Sequence, residues 1–354
     1  MSSQIGATYN HIRHRDQSVP PLSEAKARDV DHKMYHVVLG GAGFIGSNLS
    51  NLLMNSGEKI LVVDNLSLGK VDFISANDDL CSVIIGDVNE KLTWSKIKEC
   101  IKESEIFIWH LVANSDIKSG AESHFPDLHN TLNTTVKIIE NLSEFVVKGV
   151  CFASSSAVYG DVNEFPSEKD LKDPISYYGV SKLASENFLK IKCSSMGIPL
   201  WIFRFANVVG APATHGVIFD FCLKLTEDVR NLQVLGNGSQ TKAYIHVGDL
   251  NNVMLDIVGS CPIGGIWNLG PMDTGISVAE IAELVCNHLA PSAQIAFGEA
   301  NFGWPGDIPH IVLDSGKLRD EISVSLPGSR ISVEKALHDI CKQMHLEFVC
   351  DKQL

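Results

Sequence analysis

The sequence has no long apolar run, no basic run and no closely spaced cysteine pair. A membrane-spanning helix needs about 18 or more consecutive apolar residues, and no segment approaches that length. The net charge of −13 argues against a nucleic-acid partner, because binding to phosphate backbones needs clustered Lys and Arg side chains. The nine cysteines stand singly. They indicate reduced thiols in a cytoplasmic protein and give no zinc-ligand pattern.

Residues 1–33 are polar, with two adjacent prolines and no apolar run. This composition argues against a secretory signal, and the acidic residues within it argue against a transit peptide. We therefore expect a disordered N-terminal extension, which ends where Met34 precedes the first apolar strand.

Apolar, β-branched runs alternate with segments of helical period over the first two thirds of the chain. The runs that we predict as buried parallel strands are YHVVL (35–39), KILVV (59–63), CSVII (81–85), IFIWHL (106–111), VCFAS (150–154) and LWIFR (200–204). Amphipathic segments at 127–142 and 177–191 lie between some of them. This order predicts an α/β fold with a doubly wound, parallel Rossmann sheet.

Glycines at the junction of the first strand and the next helix predict a dinucleotide site. Gly40, Gly43 and Gly46 lie in VVLGGAGFIGSNL (37–49), with a spacing that suits a tight turn close to a pyrophosphate. Asp64 ends the second strand, 18 residues after Gly46. Its carboxylate would accept hydrogen bonds from both adenosine ribose hydroxyls and would repel a 2′-phosphate. The pattern favours NAD over NADP.

After about residue 208 the strict alternation lapses, although short patterns continue. They are a helix over 214–225, a strand and turn over 232–238, and a helix over 276–289 in which Ser277 and Glu280 fit a capping box. We expect an NAD-binding Rossmann domain over 34–207, to which 240–272 contributes. A smaller α/β substrate-binding domain is expected mainly over 208–354.

The stretch SYYGVSK (176–182) places two tyrosines upstream of one lysine. At about 100° per residue, Tyr178 and Lys182 lie about 40° apart on a helix, whereas Tyr177 points about 140° away from Lys182. The serine run ASSSAVYG (153–160) ends the fifth predicted strand, at the edge where open α/β sheets bind ligands. Ser, Tyr and Lys can form an acid–base device, since an ammonium and a cationic nicotinamide both favour the phenolate.

Several motifs together resemble those of the extended short-chain dehydrogenase/reductase family over residues 34–345. They are GGAGFIG, DNLSLGK (64–70), HLVAN (110–114), SSSAVYG, PISYYGVSK and RFANVVG (204–210). Within that family the resemblance is to NAD-dependent nucleotide-sugar epimerases of the UDP-glucose 4-epimerase kind. It implies an enzyme that retains NAD⁺, oxidises the sugar C4 hydroxyl to a 4-keto intermediate and returns hydride to the opposite face.

The resemblance also assigns site residues. The family's catalytic serine, tyrosine and lysine fall on Ser155, Tyr178 and Lys182. The cofactor-binding positions are Gly40, Gly43, Phe44, Ile45, Gly46, Asp64, Asn65, Asp87, Val88, Leu111, Ala113, Asn130, Tyr178 and Lys182. The substrate-binding positions are Ser155, Ser156, Asn207, Val217, Lys242, Trp304 and Asp307.

The positions that would hold the substrate diphosphate depart from the family pattern. Lys242 stands where the family has an arginine in R-D-Y-I-H-V, and Trp304 replaces the arginine that opens R-P-G-D. A lysine offers a point charge in place of a bidentate fork, and a tryptophan can stack on a base or sugar but cannot neutralise phosphate. The position that sizes the sugar pocket falls on Ile311, so N-acetylated sugars remain open.

Related reactions of the family need groups that this chain lacks at the expected positions. The 4,6-dehydratases carry Asp-Glu where Ser156 and Ala157 stand, and the uronate decarboxylases carry a glutamate at Ala157. Epimerisation at C4 of a UDP-glucose/UDP-galactose type of sugar is therefore the predicted function. Two alternatives stay open. One is an epimerase or dehydratase-like internal-redox enzyme on an unusual nucleotide sugar, which Lys242 and Trp304 favour, and the other is a non-catalytic NAD-binding sensor.

The resemblance further implies a homodimer in which helices 127–142 and 177–191 pair across a twofold axis as a four-helix bundle. The sequence itself establishes only that both segments have apolar faces. We expect a cytoplasmic enzyme whose partner is a nucleotide sugar, in the first place a UDP-sugar. No membrane, nucleic-acid or metal partner is expected.

Overall fold

The structure is a computed structural model that describes residues 34–75, 77, 79–114, 123–162, 165–300 and 308–346. The predicted N-terminal extension lies outside the described residues, and so do Trp304 and Asp307 of the predicted substrate site. Among the helices that are described, none has the length and apolar character needed to cross a membrane.

The chain forms strands and helices in the following order. The strands are β1 (Met34–Leu39), β2 (Ile60–Asp64), β3 (Cys81–Ile85), β4 (Glu105–His110), β5 (Val146–Ser155), β6 (Leu200–Phe205), β7 (Asn207–Val209), β8 (Asn231–Val234), β9 (Thr241–Lys242), β10 (Tyr244–His246), β11 (Gly264–Leu269), β12 (Ile276–Ser277), β13 (Gln294–Phe297) and β14 (His310–Ile311). The α-helices are α1 (Phe44–Asn55), α2 (Lys91–Ile101), α3 (Phe125–Asp127), α4 (Thr134–Asn141), α5 (Tyr177–Met196), α6 (Val217–Glu227), α7 (Val247–Ser260), α8 (Val278–Leu289), α9 (Gly316–Ile322) and α10 (Ser329–Gln343).

The main sheet has seven parallel strands in the order β11-β6-β5-β4-β1-β2-β3. Strands β1 to β6 confirm the six predicted parallel strands, and β11 adds an edge strand beside β6. The burial predicted for CSVII (81–85) is wrong, because β3 lies at the other edge of the sheet. Helices cover both faces of the central strands, which explains why these read as continuous apolar runs rather than alternating ones, whereas Val83 and Ile85 of the edge strand β3 are exposed. The strand order reverses between β1 and β4, so a crevice opens at their carboxyl ends.

The predicted helix over 127–142 is not one continuous α-helix. Its first part, Leu128–Asn133, is π-helical and lies between α3 and α4. A π-helix has more residues in each turn than an α-helix, so it changes which side chains face the sheet. The predicted helix over 177–191 is confirmed as α5, which runs on to Met196 and ends at Gly197 with a left-handed φ of 65°.

The second half of the chain builds three small sheets, β10-β7, β12-β9-β14 and β13-β8. Helices α6, α8 and α10 pack around a separate apolar core there, which includes Phe221, Val285 and Leu337. The predicted capping box is confirmed at the start of α8. The Ser277 N–H donates to the Glu280 carboxylate at 2.9 Å, and the Glu280 N–H donates to the Ser277 hydroxyl at 3.1 Å.

A buried ion pair joins α5 to the main sheet. The guanidinium of Arg204 in β6 donates to both carboxylate oxygens of Glu186 in α5, at 2.8 and 2.7 Å. Ser154 in β5 donates to the same carboxylate at 2.6 Å, and Arg204 also donates to the Tyr159 hydroxyl at 2.8 Å. The bidentate geometry and the added hydrogen bonds are what a buried pair needs to offset its desolvation.

We expect Arg204→Leu to lower the free energy of unfolding by about 3–5 kcal/mol, because it leaves the Glu186 carboxylate buried without its cation. Denaturant-induced unfolding measures the change. Arg230→Leu is the matched control, since Arg230 pairs with Asp228 at 3.8 Å on the exposed surface and exposed pairs contribute little. Equal, small shifts of the unfolding midpoint for the two variants would contradict the expectation.

Candidate active site

A cavity lies at the carboxyl ends of β1, β2, β3 and β4, where the strand order reverses. Every predicted cofactor position except Asn130, Tyr178 and Lys182 lines it. The predicted residues in the lining are Gly40, Gly43, Phe44, Ile45, Gly46, Asp64, Asn65, Asp87, Val88, Leu111 and Ala113. The fold therefore gathers side chains from four separate strand ends into one site.

The glycine loop between β1 and α1 is packed too closely for a side chain at Gly40 or Gly46. Gly40 takes a left-handed φ of 82°, and its carbonyl accepts the Gly43 N–H at 3.2 Å. A Cβ on Gly46 would stand 2.1 Å from the Gly40 carbonyl oxygen, so no larger residue fits there. Helix α1 begins at Phe44, and its first residues line the cavity. The free N–H groups of a helix start favour an anion at that point.

The Asp64 side chain is held in place at the end of β2. Its carboxylate accepts the backbone N–H of Ala42 at 3.0 Å and that of Leu66 at 2.8 Å. A carboxylate has about four lone-pair directions, so two remain for hydroxyl groups of a ligand. Asp87 is fixed in the same way by the Asn89 N–H at 2.8 Å.

Asn130, like Tyr178 and Lys182, does not line this cavity, and its role as a cofactor-binding residue stays a prediction. It lies exposed in the π-helical segment, whereas Thr131 is buried and its Oγ1 accepts the Asn114 N–H at 3.1 Å. The altered helical phase brings a threonine to the inner face at this point.

The Ser–Tyr–Lys arrangement comes together where β5 ends and α5 begins. The Ser155 side chain is close enough to the Tyr178 hydroxyl to lower its pKa, and the Ser155 Oγ accepts the Ala157 N–H at 3.2 Å. The Lys182 Nζ lies 5.7 Å from the centre of the Tyr178 ring and donates to the Ala153 carbonyl oxygen of β5. Tyr177 is 54% exposed and points away from this group. The geometry thus brings Tyr178 to the lysine, as the helical spacing predicts.

The pKa values of this pair follow from burial. Burial raises the pKa of Tyr178 to about 12, the hydrogen bond with Ser155 lowers it in part, and the charge of Asp127 raises it further. Burial also lowers the pKa of Lys182 to about 7, against the opposing charges of Glu186 and Asp127. The phenol is therefore neutral at pH 7 in the chain alone. A phenolate needs a further positive charge close by.

The predicted sugar-side residues lie on neighbouring strands. Ser155 pairs with Phe205 across β5 and β6, and Asn207 follows two residues later at the start of β7. The Asn207 amide donates to the Ala243 carbonyl oxygen at 3.3 Å. Asn207 therefore lies between the end of β5 and the β9–β10 segment.

Lys242 and Ile311 are direct register partners in the pairing of β9 with β14. The residue predicted to contact the diphosphate and the residue predicted to size the sugar pocket are thus neighbours. Val217 begins α6, and Ser156 lies buried next to Ser155 at the end of β5. Trp304 and Asp307 lie outside the described residues.

Known proteins share both the sequence pattern and the fold of this chain. The model of the family described as "Epimerase: NAD dependent epimerase/dehydratase family" matches residues 36–270. The chain belongs to this family. It is accordingly an NAD-dependent enzyme of the extended short-chain dehydrogenase/reductase type.

Individual relatives carry epimerase names. The chain is 30% identical over 294 residues to a putative UDP-glucose 4-epimerase of Methanocaldococcus jannaschii, covering 79% of this chain and 90% of that protein. It is 29% identical over 310 residues to the UDP-glucose 4-epimerase of Streptococcus mutans, covering 80% and 89%. A crystal structure of a UDP-galactose 4-epimerase superposes with a TM-score of 0.77 at 29% identity, covering 88% of this chain and 100% of that one.

The residues of this NAD-dependent family member fit its cofactor. Gly40 and Gly46 form a glycine cradle, a turn whose backbone is open because neither residue has a Cβ. This opening, which a single Cβ would fill, suits close approach of a diphosphate. Asp64, with two carboxylate lone-pair directions left over, suits the two hydroxyls of an adenosine ribose. Gly40, Gly43, Gly46 and Asp64 would hold the adenosine diphosphate half. Ser155, Tyr178 and Lys182 do not line this cavity, and their place beside the reacting half stays a prediction.

Two groups of residues escaped the sequence analysis. Glu186 could have been found, since it stands one helical turn after Lys182 and therefore on the same face of α5. Thr214 and His215 also line the cofactor cavity, yet they belong to the loop between β7 and α6. No local pattern links that loop to the glycine turn, because only the fold brings the two together.

We expect Gly46→Ala to be purified without NAD, because its Cβ would overlap the Gly40 carbonyl oxygen and force the turn open. NAD released by denaturing the purified protein is measured by enzymatic cycling. Gly259→Ala in α7 is the matched control, since no heavy atom lies within 4 Å of its added Cβ. Full NAD content in Gly46→Ala would contradict this account of the turn.

Proposed function

We propose that this enzyme epimerises a nucleotide-linked sugar at C4 through a 4-keto intermediate, with UDP-glucose and UDP-galactose as the interconverting pair. The observation that carries the proposal is the position of the Lys182 Nζ, 5.7 Å from the centre of the Tyr178 ring and hydrogen-bonded to Ala153 near the end of β5, the strand that also carries Ser155. The epimerase names of relatives that match at least 79% of this chain support the choice of reaction.

Each residue has a distinct part in the reaction. NAD⁺, when bound, would supply the acceptor for the C4 hydride and, in reduced form, its donor. The Tyr178 phenolate takes the proton from the C4 hydroxyl and returns it at the end, as general base and then general acid. Ser155 holds the phenol oxygen and the sugar hydroxyl in line. Lys182 contributes a cation that favours the phenolate, and the Glu186 charge helps to keep that cation protonated.

The same reaction on another nucleotide sugar is the second candidate, and the diphosphate site favours it. Lys242 is a single cation where the family carries a forked arginine, and Ile311 beside it is neither small nor bulky. A pocket of this kind admits hexoses with substituents other than hydroxyl. UDP-N-acetylglucosamine is the most informative second substrate to test, because it differs from UDP-glucose in one substituent of the sugar.

We expect Tyr178→Phe to lose about 10²–10⁴-fold in the turnover number, since that is the usual contribution of a positioned acid–base group. The rate of conversion of UDP-glucose to UDP-galactose is followed by chromatography. Tyr177→Phe is the matched control and should keep the wild-type rate, because the Tyr177 ring is exposed and turned away from Lys182. Both variants should release the same amount of NAD on denaturation.

The wild-type result separates the candidate functions. Interconversion of the two UDP-hexoses supports the proposal as stated. Bound NAD with conversion of UDP-N-acetylglucosamine alone would replace the substrate and keep the mechanism. Bound NAD with no conversion of any nucleotide sugar would overturn the proposal in favour of an NAD-binding sensor.

A homodimer is part of the proposal, and an exposed apolar stripe along α5 supports it. Tyr177, Val180, Phe188 and Ile191 recur at helical spacing on this face and are all exposed. Phe125 of α3 is exposed as well, and α3 packs against α5. Large exposed apolar faces mark interaction surfaces, and two copies of this face would form a four-helix bundle.

We expect the double variant Phe188→Glu, Ile191→Glu to be monomeric in light scattering at concentrations where the wild type is a dimer. Two carboxylates on each copy would meet their counterparts across the twofold axis. Ile263→Glu is the matched control, because Ile263 is 88% exposed and lies outside the stripe. A wild-type monomer, or a dimer that survives the double variant, would contradict this part of the proposal.

The free cysteines support a cytoplasmic location. All eight cysteines in the described part of the chain are unpaired, and Cys151, Cys193, Cys222, Cys286 and Cys341 are buried. Unpaired buried thiols in this number suit a reducing compartment.

A further inference from the structure

The loop between β7 and α6, residues 210–216, is tied to both halves of the chain. On one side the Asn48 amide of α1 donates to the Ala211 carbonyl oxygen at 2.9 Å. On the other side the Gln343 side chain of α10 accepts from the Ala213 N–H and donates to its carbonyl oxygen, both at 2.7 Å. The loop is therefore fixed one helical turn away from the glycine cradle.

Thr214 and His215 of this loop line the same cavity as Gly43, Phe44 and Ile45 at the start of α1. The Thr214 hydroxyl and the His215 Nδ1 are hydrogen-bonded at 3.0 Å. This bond orients the imidazole ring and engages only one of its two nitrogens. The other ring nitrogen, Nε2, has no hydrogen-bond partner among the described residues.

His215 differs from the other residues that line the cavity in the sign of the charge that it can carry. Asp64 and Asp87 are the charged side chains of the lining, and both are acidic. None of the described residues that line the cavity is Lys or Arg, so His215 is the one among them that can carry a positive charge. A dinucleotide brings two negative charges on its diphosphate. The start of α1 supplies partial positive charge only.

We infer that Thr214 and His215 close over the diphosphate of bound NAD, with the His215 Nε2–H as a hydrogen-bond donor to a phosphate oxygen. The glycine cradle holds the diphosphate from the side of α1, and the loop holds it from the opposite side. The hydrogen bonds of Asn48 and Gln343 position the loop for this contact. Retention of the cofactor thus depends on the loop 210–216. This loop leads directly into α6, which belongs to the predicted substrate-binding domain.

The test is a binding measurement on protein that has been freed of NAD. Calorimetric titration of NAD, ADP and adenosine compares the wild type with His215→Ala and His215→Asp. We expect His215→Ala to weaken NAD and ADP about 10- to 150-fold, the range for a hydrogen bond to a charged group. His215→Asp should weaken them further by repulsion. Adenosine, which lacks the diphosphate, should bind all three proteins equally well.

The control is His345→Ala, because His345 is exposed and does not line the cavity. Its affinities should equal those of the wild type. Unchanged affinity of both His215 variants for NAD and ADP would overturn the inference, and so would an equal loss of affinity for adenosine. A wild type that binds none of the three ligands would instead contradict the assignment of the cofactor cavity itself.

Discussion

The buried contact between Glu186 and Arg204 holds together the parts on which the site depends. It joins α5, which carries Tyr178 and Lys182, to β6 of the main sheet. Through Ser154 it also holds the end of β5, next to Ser155. Three elements that follow one another along the chain, β5, α5 and β6, therefore meet at one carboxylate. Because Glu186 is one turn from Lys182, the same charge that fixes the helix also favours the protonated lysine.

In the proposed reaction, the electrostatics of the site connect the redox cofactor with the acid–base group that we assign to Tyr178. Burial disfavours both the phenolate of Tyr178 and the ammonium of Lys182, so the chain alone keeps the tyrosine as a neutral phenol. A positive charge next to the phenol shifts this balance, and the oxidised nicotinamide carries one. On this account the base is active only while the cofactor is oxidised. The neutral phenol of Tyr178 is then favoured while the cofactor is reduced, which is the stage where the phenol must return the proton to the sugar oxygen.

Much of the fold and of the cofactor site could be predicted from the sequence, because local patterns encode them. The apolar runs of β1 to β6 specify parallel strands, and the glycine turn with Asp64 specifies one end of the cavity. The spacing of Tyr178 and Lys182 selects one tyrosine of two because a helix repeats every 3.6 residues. Each of these signals lies within a few residues of the structure that it forms.

The remainder depends on contacts between distant segments, which no local pattern records. The π-helical turn at Leu128–Asn133 interrupts the helix predicted over 127–142, and Asn130 lies exposed within it. His215 reaches the cofactor cavity only because Asn48 and Gln343 hold its loop from two other elements. The pairing of Lys242 with Ile311 likewise arises from strands almost seventy residues apart.

The most direct test of the central claim is the ionisation of Tyr178 itself, followed by near-ultraviolet absorbance as the difference between wild type and Tyr178→Phe. In protein freed of NAD, the account predicts a phenol that ionises only in strong alkali, with its pKa raised to about 12. With NAD⁺ bound, it predicts ionisation about one to three pH units lower, and with NADH bound a return toward the alkaline value. The same pKa in all three forms would contradict the claim that the charge of the cofactor controls the catalytic base.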